Sequence, residues 1–206
     1  MILSIKNLSK NFGDTHAVKR LNFQLTGGDI TGFVGPNGAG KTTTLRMLAS
    51  IEEPSSGSIE LDGHSIISHP EMAREKIGFV PDTLPTQDDM TVFEYIDFFA
   101  RAYGINPTRR RVLVNDLMEF TNLIGIREKL LSALSKGMKQ RVSIARALIH
   151  DPAFILMDEP AAGLDPRARI ELRELLRVLS RQGKGILISS HILSELSEIC
   201  SSTLII

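Results

Sequence analysis

The sequence predicts an α/β fold: a parallel-sheet lobe, an antiparallel β subdomain at its N-terminus, and an α-helical lobe inserted in its middle. Three observations carry this prediction. Short apolar runs at Ile30 to Val34, Phe154 to Met157 and Gly185 to Ser189 alternate with helical patterns, as strands covered on both faces require. The opening segments, Ile2 to Ile5 and Val18 to Leu25, read as an antiparallel strand pair. From Thr91 to His150 the pattern turns mainly helical, which marks an insertion.

In chain order, Gly27-Gly28-Asp29 and Asp62-Gly63 are turn signals that punctuate the early strands. Ile30-Thr31-Gly32-Phe33-Val34 is a buried strand, and Thr42 to Ser50 after it is helical. Phe93, Ile96, Phe99 and Ala100 fall at helical spacing within the insertion. Phe154 to Met157 is the next buried strand. Pro166 then opens a helix over 167–181, with Leu172, Leu175, Leu176 and Leu179 on one stripe. Gly185 to Ser189 is a further strand. Thr203-Leu204-Ile205-Ile206 reads as a strand just begun, so a C-terminal truncation is expected. The predicted organisation is one domain over 1–206, with the α/β lobe at 1–82 and 152–206 and the helical lobe at 83–151.

Composition narrows the function classes. Hydrophobic residues are 42% and charged residues 23%, a balance that supports a packed core rather than disorder. Lys+Arg and Asp+Glu are both 24, so bulk charge does not suit coating a nucleic acid, and no nucleic-acid partner is expected. Trp is absent and aromatics are 5%, which also disfavours base-stacking platforms. The longest apolar run, Ala153 to Met157, is far short of the roughly 20 residues that a spanning helix needs. No secretory signal opens the chain. Cys200 is the single cysteine, so no internal disulfide forms. Asp82, Asp88, Asp89, Glu94 and Asp97 precede Arg101, Arg109, Arg110 and Arg111. A solvated face is the preferred reading of these blocks, and a docking surface the sharper one.

The chemistry begins at Gly35-Pro36-Asn37-Gly38-Ala39-Gly40-Lys41-Thr42, which matches G-x-x-x-x-G-K-[ST] between a strand and a helix. Glycines let successive N–H groups turn inward to form an anion nest, and the helix start that follows favours phosphate. Lys41 is placed to reach the β- and γ-phosphates, and the Thr42 hydroxyl to ligate Mg²⁺. The fold is therefore expected to be a P-loop NTPase, RecA-like in its parallel sheet. Phe154 to Met157 runs directly into Asp158-Glu159, which sets two carboxylates at the carboxyl edge of that sheet, where ligands bind. Asp158 is expected at the metal and Glu159 as the group that polarises the attacking water.

Leu134-Ser135-Lys136-Gly137-Met138-Lys139-Gln140-Arg141 resembles the signature motif of the ATP-binding-cassette (ABC) ATPases, with Lys136 where that family has glycine and Met138 where it has glutamine. Further landmarks are similar to the family's. Phe12 matches its adenine-stacking aromatic, and Val18 and Thr43 join the nucleotide-binding set. Gly163-Leu164-Asp165 resembles its D-loop, and His191 after Ser189-Ser190 its switch histidine. The segment Ile77 to Asp82 resembles the approach to its Q-loop, but Asp82 stands where glutamine is usual. Asp82 would bring a third carboxylate towards Asp158 and Glu159 and strengthen the dependence on Mg²⁺. His16, His64, His69 and His150 match nothing and are expected at the surface.

The resemblance runs from Ile2 to Ile206 and is closest to the ATP-binding subunits of prokaryotic ABC-2-type exporters. It implies an ATPase that uses ATP and Mg²⁺. It also implies a homodimer, or a heterodimer with a similar ATPase, in which Lys41, Thr42, Asp158, Glu159 and His191 of one copy face Ser135, Lys136, Gly137, Met138 and Asp165 of the other. It further implies a separate transmembrane permease and a cytoplasmic location, peripheral on the membrane. The alternative is an ABC-type ATPase that serves the ribosome or DNA. A GTPase is disfavoured because the chain has no Asn/Thr-Lys-x-Asp element for guanine.

Overall fold

Residues 1–85, 89–196 and 198–206 are described by the computed structural model, so Asp88 of the acidic run lies outside them. Strands β1 (Ile2–Phe12) and β2 (Thr15–Thr26) pair antiparallel and run well past the apolar segments that announce them. Their polar extensions are held by backbone pairing across register shifts after Ile5, where Asn7 takes a left-handed φ of 49°. Next come β3 (Ile30–Val34), α1 (Lys41–Leu48), β4 (Ser56–Leu61) and β5 (His64–Ser65). Helix α2 (Pro70–Lys76) leads into β6 (Ile77–Val80).

The helical insertion holds α3 (Val92–Ala102), α4 (Pro107–Phe120) and α5 (Lys136–Leu148). Each starts where its sequence supplies a cap. Thr91 and Glu94 exchange bonds in a capping box, and Asn106 and Ser135 accept from the backbone N–H groups of Arg109 and Met138. The chain then returns to the sheet with β7 (Phe154–Met157), α6 (Pro166–Arg181), β8 (Gly185–Ser190), α7 (Leu193–Leu196) and β9 (Ser202–Ile205).

Among the described residues the strands form two sheets. One is antiparallel, in the order β2-β1-β4-β5; the other is parallel, in the order β6-β7-β8-β3-β9. Alternate residues of the parallel strands feed two cores. Ile155, Met157, Ile186 and Ile188 face the helices, whereas Phe154, Leu156, Leu187 and Phe33 pack towards the antiparallel sheet and α1. Because these strands are parallel, their carboxyl ends lie on one edge. That edge receives the loop after β3, the acids after β7, the serines that end β8 with the histidine after them, and Asp82 after β6.

Of the charge blocks, Asp82, Asp89, Glu94, Arg101, Arg109 and Arg111 are exposed, as a solvated face requires. Asp97 and Arg110 depart from it: Asp97 pairs with Arg101 at 2.6 Å and with Arg110 at 2.7 Å, and the Asp97 and Arg110 side chains are only 13% and 17% exposed. This pair joins α3 to α4. His150 is half-buried, not a surface residue. It stacks on Tyr103 with ring centroids 4.6 Å apart and donates from Nε2 to the Ile77 carbonyl at 3.3 Å. Burial holds its pKa below the usual histidine value.

Candidate functional site

The loop between β3 and α1 is shaped by Gly40. Its φ is 92°, and a β-carbon there would lie 2.3 Å from the Ala17 carbonyl oxygen, so only glycine fits. This close approach lets β2 support the loop from behind. Lys41, buried to 6% exposure, donates from Nζ to the carbonyls of Gly35 at 2.8 Å and Pro36 at 3.2 Å. A cleft of about 340 Å³ opens in front, lined by Asn37, Gly38, Gly40, Lys41, Thr42 and Thr43, by Ala17, and by Asp82, Asp158 and Glu159. The three carboxylates expected together do share this cleft. Gly35, Pro36 and Ala39 do not line the cleft, and Val18, 2% exposed, packs behind Gly40.

The acids are held by neighbours from the start of α1 and from the end of β8 with the residue that follows it. Thr42 Oγ1 donates to Asp158 Oδ2 at 2.7 Å. Ser189 Oγ donates to Asp158 Oδ1 at 2.7 Å and accepts from the Glu159 backbone N–H at 2.9 Å. Glu159 takes a left-handed φ of 48°, which costs a non-glycine residue energy and turns the chain sharply after β7. Its carboxylate lies between Lys41 Nζ at 3.4 Å and His191 Nδ1 at 2.9 Å. Lys41 of the glycine-rich loop, Glu159 and His191 therefore belong to one connected network.

The cleft fits a magnesium–nucleotide pair. Its nest of backbone donors and Lys41 suit phosphate, and the Thr42 hydroxyl and Asp158 carboxylate are hard oxygen donors. Among the described residues no group of three His, Cys, Asp or Glu side chains forms a metal cage. Phe12 is half exposed at the end of β1, outside the lining of the cleft, with the Lys10 ammonium 4.9 Å from its ring centre.

The signature residues lie elsewhere. Ser135 caps α5, its Oγ accepting from Met138 N at 3.3 Å. A β-carbon on Gly137 would lie 3.5 Å from the Ala168 methyl, and the Lys136 chain passes over Gly163. Asp165 caps α6, accepting from Ala168 N at 2.9 Å. Met138 is partly buried against its own core. Ser135, Lys136, Gly137, Met138 and Asp165 thus gather where α5 meets α6, and none lines the cleft of the same chain.

Sequence reasoning missed Ser189 and Ala17. Ser189 had a signal, for a serine fully buried in an apolar strand needs a hydrogen-bond partner. Ala17 had none. Cys200 is half-buried and its thiol is pushed up to about 11 by burial, which suits packing rather than nucleophilic chemistry.

Comparison with known proteins gives one consistent result. The profile of the ABC transporter family matches residues 18–162. The Nod factor export ATP-binding protein I of Burkholderia lata is 40% identical over 204 residues, covering 99% of this chain and 67% of the relative. The protein of the same name from Ralstonia nicotianae is 40% identical over 205 residues, covering 100% of this chain and 64% of the relative. The chain thus spans about two thirds of the length of these relatives. Among solved structures, an ATP-binding subunit of an ABC transporter superposes with a TM-score of 0.87 at 30% identity, covering 100% of this chain and 86% of the other. The cbiO1 subunit of Clostridium perfringens, part of the transporter complex cbiONQ, gives 0.88 at 31%, covering 98% and 83%.

Proposed function

This chain belongs to the ABC transporter family, and from that premise we propose that it is the ATP-hydrolysing subunit of an exporter. The observation that carries the chemistry is the network around Glu159, which joins the phosphate loop to His191. Lys41 and the loop N–H groups hold the phosphates. Glu159 orients the attacking water and accepts its proton, while His191 fixes the second carboxylate oxygen. Thr42 and Asp158 would hold Mg²⁺, which supplies charge neutralisation at the phosphates.

The active unit is a pair. Ser135 and Gly137 sit at the exposed start of α5, away from the cleft, so their use at phosphate requires a second copy or a similar ATPase placed head to tail. No helix among the described residues is long and apolar enough to cross a membrane. Work on a transported solute therefore passes to a separate membrane-spanning permease, with this subunit on its cytoplasmic face. The helical lobe is the proposed docking side, through the cleft between α3 and α4 that Phe93, Arg111, Met118 and Arg127 line. The relatives' export names favour this reading over service to the ribosome or DNA. Co-purification from detergent-solubilised native membranes tests it. Recovery of a polytopic membrane protein, with MgATP-dependent phosphate release by the complex, is the expected result. Recovery of ribosomal or DNA-repair components alone would overturn the transport reading.

A further inference from the structure

Asp82 reaches the nucleotide cleft from a segment with no ladder of its own. β6 ends at Val80, and residues 81–85 are bends and irregular chain. Two side chains of the helical lobe grip the chain on either side of Asp82, one at the end of β6 and one at Pro85. Arg146, on α5, donates from Nη2 to the Phe79 carbonyl at 3.2 Å. Tyr95, on α3, donates from its hydroxyl to the Pro85 carbonyl at 2.9 Å. The grips are linked, because Arg146 Nη1 donates to Tyr95 Oη at 3.4 Å. They are also packed. Tyr95 is 3% exposed and meets the Phe99 ring edge-on at 4.9 Å, and the Arg146 guanidinium lies 5.4 Å from that ring. A phenol buried in this way keeps its proton, since loss of water pushes its ionisation up, so the donor to Pro85 persists across the physiological pH range.

We propose that Tyr95 and Arg146 are positioning residues that clamp the Phe79–Pro85 segment and so fix Asp82 in the nucleotide cleft. The inference rests on the ATPase reading and deepens it. Ser135 caps the opposite end of the helix that carries Arg146. Arg146 lies ten helical positions beyond Lys136, about 15 Å along a stiff rod. The placement of Asp82 in one cleft is thereby tied to the placement of the signature residues assigned to the other copy's nucleotide.

The test is Tyr95→Phe, which keeps the ring and removes only the hydroxyl, made in the wild-type and Asp82→Asn backgrounds of the full chain. Loss of one buried hydrogen bond is expected to lower kcat about three- to ten-fold in the wild-type background. Affinity for a fluorescent ATP analogue is expected to hold within about two-fold, because Tyr95 does not line the cleft. No further loss is expected in the Asp82→Asn background, because the clamp acts through Asp82. Amide exchange probes the clamp independently of turnover: the Phe79–Pro85 stretch exchanges faster in Tyr95→Phe while β7 and α1 keep wild-type protection. An equal kcat loss in both backgrounds, or unchanged exchange in that stretch, overturns the clamp and leaves the ATPase reading standing. Absence of ATP turnover in the wild type would defeat the ATPase reading, and the exchange experiment would still test the clamp.

Discussion

Glu159 is held from two sides, by Lys41 at 3.4 Å and His191 at 2.9 Å, on a backbone turned into the left-handed region. Such over-determination suits a group whose lone pair must meet one water molecule. Glu159→Gln keeps the shape and removes the basic charge. Phosphate release is then expected to fall by about 10²- to 10⁴-fold, the usual worth of a general base, while ATP affinity holds. Unchanged turnover would dismiss Glu159 as the base. Asp82 makes a separate prediction. It adds a third carboxylate to a cleft whose lining offers one cation, Lys41, so free ATP should be repelled more than MgATP. The ratio of ATP affinity with Mg²⁺ to that with EDTA should be larger in the wild type than in Asp82→Asn, and equal ratios would sink the idea. Lys41, Thr42, Asp158 and Glu159 were legible in the sequence because each motif carries its own strand and loop. The bonds that join them were not. Ser189 reaches Asp158 across 31 positions and Thr42 reaches it across 116, and only the parallel sheet brings those carboxyl ends together.

The helical character of the insertion was legible by period, with Phe93, Ile96, Phe99 and Ala100 marking α3, whereas its division into helices capped at Thr91 and Asn106 was not. How the insertion meets the sheet was not legible. The end of α5 is seated by His150, which matches no motif and was for that reason expected at the surface. Here Tyr103 stacks on one face of the ring and the Ile77 carbonyl accepts from Nε2. Nδ1 is buried without a partner among the described residues, so a second proton there would find no acceptor. Desolvation lowers the pKa below 6.5, outweighing the Ile77 bond; Lys184 adds to the fall and Asp151 opposes it. A folded-state pKa below the unfolded one means that the unfolded chain binds the proton more tightly. The stabilising contribution is complete above the unfolded value and declines as pH falls through it towards the folded one. The melting temperature should therefore drop between about pH 7 and about pH 5, and the drop should shrink in His150→Gln, which keeps a donor for Ile77. An identical pH slope in the two proteins would remove His150 as the seat of this effect.

Across the whole molecule, two apolar cores back one parallel sheet, and the chemistry lies on a single edge of it. The signature cluster at the start of α5 lies elsewhere on the chain, with Ser135 and Lys136 exposed and Gly137 facing Ala168 of α6. On the proposed reading the start of α5 serves the phosphate site of a second copy, and head-to-tail pairing of identical chains would then complete two sites. Complementation between damaged copies follows from this geometry. Lys41→Ala disables the cleft of its own chain, and Ser135→Arg blocks the signature surface that its chain offers to the other. Neither variant alone has an intact composite site. In an equal mixture about half of the pairs are mixed, each with one intact site of two, so activity should return to about a quarter of wild type. The wild type should also gain specific activity as its concentration rises through the low micromolar range, because dilution separates the pair. If instead the mixture stays as inactive as its components and wild-type specific activity does not change with concentration, each chain completes its own site, and Ser135 and Gly137 are caps and packing residues only.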